Sequence, residues 1–299
     1  MNNWVYFVLI SQGIWSVTSV IDKIVISRGY IKNPLVYIVL NGLTNVLLLF
    51  LLPFVSFEPL NLFDFGVLLL SGAMFTASVI LYYRAVQYEE ISRVAMLFQL
   101  APVFVLILSY FVLGEKLTQN HFIGFLLLLS AGIIVSYKKI GAKLSRAFYY
   151  MLASAVFAAV SFIAAKHIFN ATGFWSAFLW LRLSGFTSLF VLLSPSTRSQ
   201  FAGTFKKMKN KAKGLLGFKM VIDFSSFIFA GLAMVYAPAI ALISALASSA
   251  LPLFVFILTL VTSFYFPKLV KEEINKKTML AKILAIALII IGIVFINLR

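Results

Sequence analysis

The chain contains no cysteine. Disulfides, thiolate nucleophiles and cysteine-ligated zinc are therefore excluded, and redox compartment leaves no mark on the sequence. Histidine is almost as scarce. His121 and His167 stand far apart near the ends of apolar runs and give no metal-ligand spacing. Acidic residues number 9, against 25 lysines and arginines. No Gly-x-x-x-x-Gly-Lys-[Ser/Thr] segment is present, so nucleotide-driven pumping lacks its phosphate loop. No Gly-x-Ser-x-Gly elbow is present either. The many serines have no histidine to activate them and read as helix-packing residues. No cofactor, metal or catalytic residue is expected.

What the chain has is apolar surface. Of its 299 residues, 62% are hydrophobic and 11% charged, and the mean hydropathy is +1.04. A soluble domain of this length has too little interior to hide so much. Continuous apolar runs near ~20 residues match a hydrocarbon core about 30 Å thick at 1.5 Å per residue. Alternating segments of about 10 residues, the mark of spanning strands, are not seen. Helices also satisfy their own backbone polar groups where lipid cannot. The expected fold is an all-α polytopic membrane protein with ten transmembrane helices, at about 4–27, 33–56, 62–86, 91–113, 119–137, 147–169, 173–194, 214–236, 238–266 and 278–298. Met1-Asn2-Asn3-Trp4 lacks a basic region and a small-residue cleavage site, so Trp4 onward reads as the first span.

Three features of residues 84–137 carry a family resemblance. Pro102 lies inside an apolar run, a Gly114-Glu115 pair follows that run, and Gly124 and Gly132 punctuate the next. In this order and spacing the stretch resembles the closing half of an EamA domain, the repeat unit of the drug/metabolite transporter superfamily. Gly13-Ile14-Trp15-Ser16 resembles the Trp-Ser/Gly found early in span one of such proteins. The resemblance implies a carrier whose central cavity is lined by spans one, three, four, six, eight and nine.

The chain also repeats itself. Pro102-Val103-Phe104 answers Pro252-Leu253-Phe254, and Glu115-Lys116-Leu117 answers Glu272-Glu273-Ile274. Gly132-Ile133-Ile134-Val135 answers Gly292-Ile293-Val294, and Lys23 answers Lys166. The halves are 1–138 and 147–299, joined by a basic linker at 139–146. Five spans per half is an odd number, so the second copy enters the membrane from the opposite side. Such inverted repeats place one site near the midplane in many secondary transporters. Spans five and ten, with Gly124, Gly132, Ala281, Ala285 and Gly292, read as a closely packed scaffold.

The net charge of +16 is distributed unevenly. Nearly all lysines and arginines, Lys219 among them, fall at one end of the spans; Lys116, Lys166 and Arg299 fall at the other. The positive-inside rule makes the basic side cytoplasmic and puts both termini outside the cell membrane. The resemblance implies cytoplasmic termini instead, and the lopsided charge is given precedence. This placement also accounts for the basicity without nucleic-acid binding. Residues 201–213, within the basic loop 195–213, read as an orientation signal or as an amphipathic surface helix on lipid headgroups.

Polar groups inside the spans are the candidate site. A charge at the bilayer centre costs roughly 2.5–3.5 kcal/mol, so it faces a cavity or a partner. Arg182 and Asp223 lie mid-span. Either they form a structural ion pair or snorkel, or Arg182 meets an anionic substrate group or Asp223 binds a coupling proton. Asp22 is expected to meet Arg84 or Arg93, and Glu89, Glu90 and Arg93 to cap span four or form a gate. Gln12, Trp15 and Ser19 share a face of span one. Ser78, Tyr82, Gln99, Phe157, Ser161, Phe227 and Ser248 complete the cavity lining that the resemblance implies. Pro102 and Pro252 each remove a backbone hydrogen bond and permit a hinge. Trp4 reads as an interface anchor. The expected function is alternating-access transport, as a monomer, of an amino acid or related polar or aromatic metabolite, with efflux favoured. The alternative is a lipid-handling enzyme at the basic face.

Overall fold

The computed structural model describes residues 3–27, 31, 33–55, 57–88, 94, 97–136, 146–208, 210–265 and 276–298. Every element among them is helical. The helices are α1 (Asn3–Ser27), α2 (Pro34–Leu43), α3 (Leu62–Val86), α4 (Ala101–Leu113), α5 (Gln119–Ser136), α6 (Arg146–Ala171), α7 (Phe174–Ser184), α8 (Pro195–Lys207), α9 (Asn210–Tyr236), α10 (Ile240–Tyr265) and α11 (Lys276–Asn297). Eight helical segments are long and apolar enough to cross a membrane, and 101–113 and 119–134 are shorter apolar helices. The chain is a multi-pass membrane protein, with large apolar side chains such as Phe75, Phe111, Phe190 and Leu280 on its outer surface. In lipid that surface needs no covering.

Local chemistry sets the helix ends. Asn33 caps α2 by accepting the Leu35 N–H at 2.8 Å, with Pro34 in the first turn. Asn61 caps α3 through the Asp64 N–H at 2.8 Å. Gly114 ends α4 with φ +68, a left-handed conformation that side chains with a Cβ seldom adopt. The following Glu115 N–H reaches back to the Ser109 carbonyl at 3.2 Å. The first residue of the Gly114-Glu115 pair thus turns the chain out of one apolar helix and toward the next.

Spans two and seven do not stay α-helical. α2 passes into 3-10 helix at Thr44–Phe50, and α7 does the same at Gly185–Leu193. The second break packs on α2, just before the first break begins. A Cβ on Gly42 would collide with the Ser188 hydroxyl, and one on Gly185 with the Asn45 side-chain amide. The contact is reciprocal, and its sequence is repeated. Leu40-Asn41-Gly42-Leu43-Thr44-Asn45 answers Leu183-Ser184-Gly185-Phe186-Thr187-Ser188, at the separation that also relates Lys23 to Lys166.

Helix pairing follows a pattern. α1 packs on α9 and α10, while α6 packs on α3 and α4. α5 packs on α11 and α10. Small residues permit the close approaches. A Cβ on Gly124 would stand 2.9 Å from the Gly292 carbonyl. Ser11 and Ser226 join α1 to α9, with hydroxyls 3.1 Å apart and the Ser226 hydroxyl donating to the Ser11 carbonyl at 3.0 Å. Ser71 of α3 donates to the Ser161 carbonyl of α6 at 3.1 Å.

Two sequence expectations differ from what is observed. Trp4 is no interface anchor: it is buried at 1% exposure against α5 and α10 residues of the main core. Pro102 does not kink a continuous helix. It stands in the first turn of α4, after a turn at Gln99–Leu100, where its missing N–H costs nothing. Pro252 does lie inside a continuous helix, α10. Residues 195–207 form α8, whose Phe201 packs against the cluster of Ile21, Tyr37 and Met208. Lys271, Glu272 and Glu273 and nearly all of the 139–146 linker lie outside the described residues.

Candidate functional site

Two groups of polar side chains sit among the spans. The first is centred on Lys219, one turn before Asp223 on α9. Its ammonium donates to Asp223 Oδ2 at 2.5 Å and to Asn41 Oδ1 of α2 at 2.9 Å, and lies 3.5 Å from Asp22 Oδ1 of α1. The Tyr37 hydroxyl donates to the same Asp22 oxygen. Lys219 is 4% exposed. The ammonium thus has two hydrogen-bond acceptors and a second carboxylate in ion-pair range, as a buried charge requires. With both carboxyls ionised, two negative charges face one positive charge among the described residues.

The second group is a row across three helices. The Arg182 guanidinium of α7 lies over the Phe227 ring of α9, 3.7 Å from its centroid. Phe227 in turn meets Trp15 of α1 edge to face at 5.2 Å. Phe178, one turn before Arg182, offers a second ring at 5.8 Å. Arg182 Nε is buried, and the guanidinium has no hydrogen-bond or ion-pair partner among the described residues. Arg182 and Asp223 therefore do not pair. Asp223 is taken by Lys219, and Arg182 rests on an aromatic face.

The other predicted positions divide between packing and pathway. Ser78 and Ser161 lie in the α3–α6 interface, Ser78 against Ser154 and Ser161 against Ser71. Gln99 donates to the Ser248 carbonyl at 3.2 Å, linking the turn before α4 to α10. Ser248 itself bonds back to Ala245 within its helix. Gln12 is buried on α1, and the Ser19 hydroxyl returns to the Trp15 carbonyl at 2.9 Å. Tyr82 meets Phe98 edge to face at 6.3 Å, and Phe157 is partly buried on α6. Asp22 meets Tyr37 and Lys219, not Arg84, which is exposed. Glu89, Glu90 and Arg93 lie outside the described residues.

At the opposite end of the spans, His167 Nε2 of α6 is 2.7 Å from Asp64 Oδ1 of α3. Glu115 accepts the Ile240 N–H at 2.9 Å and so caps α10 from the α4–α5 loop. Burial pushes the Glu115 carboxyl above the usual carboxylate range, against the opposing pull of that N–H and of the Lys166 charge. Lys166 is buried and donates to the Met234 carbonyl near the end of α9. Sequence reasoning missed the roles of Lys219, Tyr37, Asn41 and Asp64. The Lys219-x-x-x-Asp223 spacing was a usable signal, being one helical turn.

Two hollows of about 460 and 470 Å³ lie elsewhere. One is beside Tyr110, Glu115 and Phe122, and the other beside Leu193, Arg198 and Ala202. Neither is lined by a predicted pathway residue.

None of the curated proteins compared matches the chain. Among solved structures, one described only as a crystal structure of a protein superimposes with a TM-score of 0.70 at 13% identity, covering 98% of this chain and 98% of that one. At that identity the likeness concerns the fold alone. Residues 2–137, which hold Pro102, the Gly114-Glu115 pair, Gly124 and Gly132, match the model of the EamA-like transporter family, consistent with the drug/metabolite transporter superfamily.

Proposed function

We propose that the chain is a ten-span secondary carrier of the cell membrane, built from two inverted five-helix repeats, that moves a small metabolite by alternating access. The family match supports membrane transport of a small molecule. The observation that carries the rest is an exchange of partners between the halves. Pair the spans in order, so that α1 corresponds to α6, α3 to α9 and α4 to α10. The contacts of α1 with α9 and α10 then become those of α6 with α3 and α4, and both sets are present. Ser11 and Ser226 correspond to Ser154 and Ser78, which make the equivalent contact. With the copies inverted, the two interfaces seal opposite ends of one central path. The tight packing at Arg182, Phe227 and Trp15 then belongs to a state closed at both ends.

In this scheme the solute is an amino acid or a related polar or aromatic compound, exported past the basic, cytoplasmic ends. Asp22 and Asp223 take up the coupling proton, because their cluster holds one more negative than positive charge when ionised. Uptake and counterflow in proteoliposomes, with a panel of amino acids and aromatic metabolites, test the proposal. Saturable counterflow of at least one solute is expected. Silence across the panel, with the protein folded and inserted, overturns it.

A further inference from the structure

We propose that Arg182 reads a carboxylate, and that the transported compound is a monocarboxylate with an apolar or aromatic body; this rests on the carrier reading above. A guanidinium in mid-span is costly, and such groups are kept where they meet a partner or a water-filled path. Lys219 has its partners in the protein. Arg182 has none among the described residues, and its Nε is buried without an acceptor. An unmet donor in an apolar interior is the most expensive kind of polar group to retain.

The geometry points to the kind of anion. Phe227 occupies one face of the guanidinium, at 3.7 Å. Its edges remain, and they carry the N–H donors. An edge offering Nε and a terminal nitrogen matches the two oxygens of a carboxylate in a fork. One guanidinium balances one negative charge. Lys219, one turn before Asp223 on α9, is already committed to Asp22 and Asp223. A phosphate dianion therefore goes half uncompensated, and a carboxylate does not. Phe227 and Phe178 face the guanidinium, with Trp15 packed on Phe227 and Phe224 on Phe178. These suit an apolar or aromatic body, which stacks or meets them edge-on. Arg182, Trp15 and Phe227 are each only partly buried, and they belong to three different helices.

The test is equilibrium binding to the purified full-length chain in detergent, followed by tryptophan fluorescence and calorimetry. The probes are 3-phenylpropionate, its amide, phenethylamine and inorganic phosphate. The carboxylate is expected to bind, to change the emission assigned to Trp15 by the Trp15→Phe variant, and to outbind its amide by about tenfold to hundredfold, the range of a lost hydrogen bond to a charged group. Arg182→Gln is expected to erase that preference and Arg182→Lys to restore part of it. Equal binding of acid and amide overturns the proposal and needs no variant to fold. So does phosphate competing as well as the acid. Binding through Arg182 without flux in proteoliposomes would remove the carrier and leave the site. Flux of other solutes, unaltered in Arg182→Gln, would remove the site and leave the carrier.

Discussion

Ser78 and Ser154 each donate a hydrogen bond to the other's backbone carbonyl, both at 2.9 Å. The bond pair fastens α3 to α6 at a buried point. Ser11 and Ser226 fasten α1 to α9 in nearly the same way. Hydrogen bonds of this kind in membrane proteins average only about 0.6 kcal/mol. They are strong enough to hold a register and weak enough to be broken in a transport cycle. Serine also lets the two backbones come close, which a larger residue prevents.

If these interfaces open by turns, closing either one permanently stops the cycle. The hydroxyls are 3.1 Å apart in both pairs. Cysteines introduced at these positions bring their sulfurs near bonding distance. The absence of native cysteine makes each cross-link unambiguous. Ser78→Cys/Ser154→Cys and Ser11→Cys/Ser226→Cys are each expected to lose flux under mild oxidation and regain it with reductant. Single-cysteine variants remain active. Full flux with either bridge formed would show that the interface does not open.

The Lys219 cluster predicts opposite outcomes for its two kinds of member. Lys219→Met leaves the buried Asp223 and the partly exposed Asp22 without their cation, a loss of about 3 kcal/mol, read as a marked fall in melting temperature in detergent. Asp223→Asn leaves Lys219 beside Asp22, a balanced pair. It is expected to fold and to retain counterflow while losing accumulation driven by a pH gradient. Undiminished gradient-driven transport in Asp223→Asn removes the proton from this site.

Much of the helix layout is legible in the sequence because apolar runs and lipid thickness share one length scale. The charged site is less legible. A count of loop charges assigns Lys219 to the orientation signal, since it lies close to the basic end of its span. Only the fold brings Asn41 and Asp22 to it, from spans far away in sequence. Arg182 is conspicuous in sequence, but its Phe227 partner is one of 31 phenylalanines. The 3-10 breaks in spans two and seven are recorded in the repeated Leu-Asn-Gly-Leu-Thr-Asn and Leu-Ser-Gly-Phe-Thr-Ser segments. Hydropathy alone reads both as unbroken, because apolar residues continue through them.

Glu115 links stability to pH. Its carboxyl titrates above the ordinary carboxylate range in the folded protein, because burial disfavours its charge. Between the unfolded and folded values the folded state holds more protons, so stability falls as pH rises through that window. Glu115→Gln keeps an acceptor for the Ile240 N–H and removes the titration. Its melting temperature is expected to lose this component of pH dependence. Glu115→Ala strips the cap from α10 and costs about 1 kcal/mol at low pH and less as pH rises, because the titration is lost with the side chain. An unchanged pH slope in Glu115→Gln assigns the linkage elsewhere.

Orientation is decided by one residue at the start of α1. Asn3 is exposed. The basic residues gather at the far end of that helix and at the ends beside it, and the positive-inside rule makes those ends cytoplasmic. Asn3 then faces outward. In intact cells, a membrane-impermeant maleimide is expected to label Asn3→Cys without permeabilisation. A cysteine in the basic segment, at Ser199, which is exposed, is expected to react only after the membrane is opened. The reverse pattern turns the carrier over. It would put the Lys219 cluster near the outer surface and the Asp64–His167 pair near the cytoplasm, so the proton site would be reached first from outside.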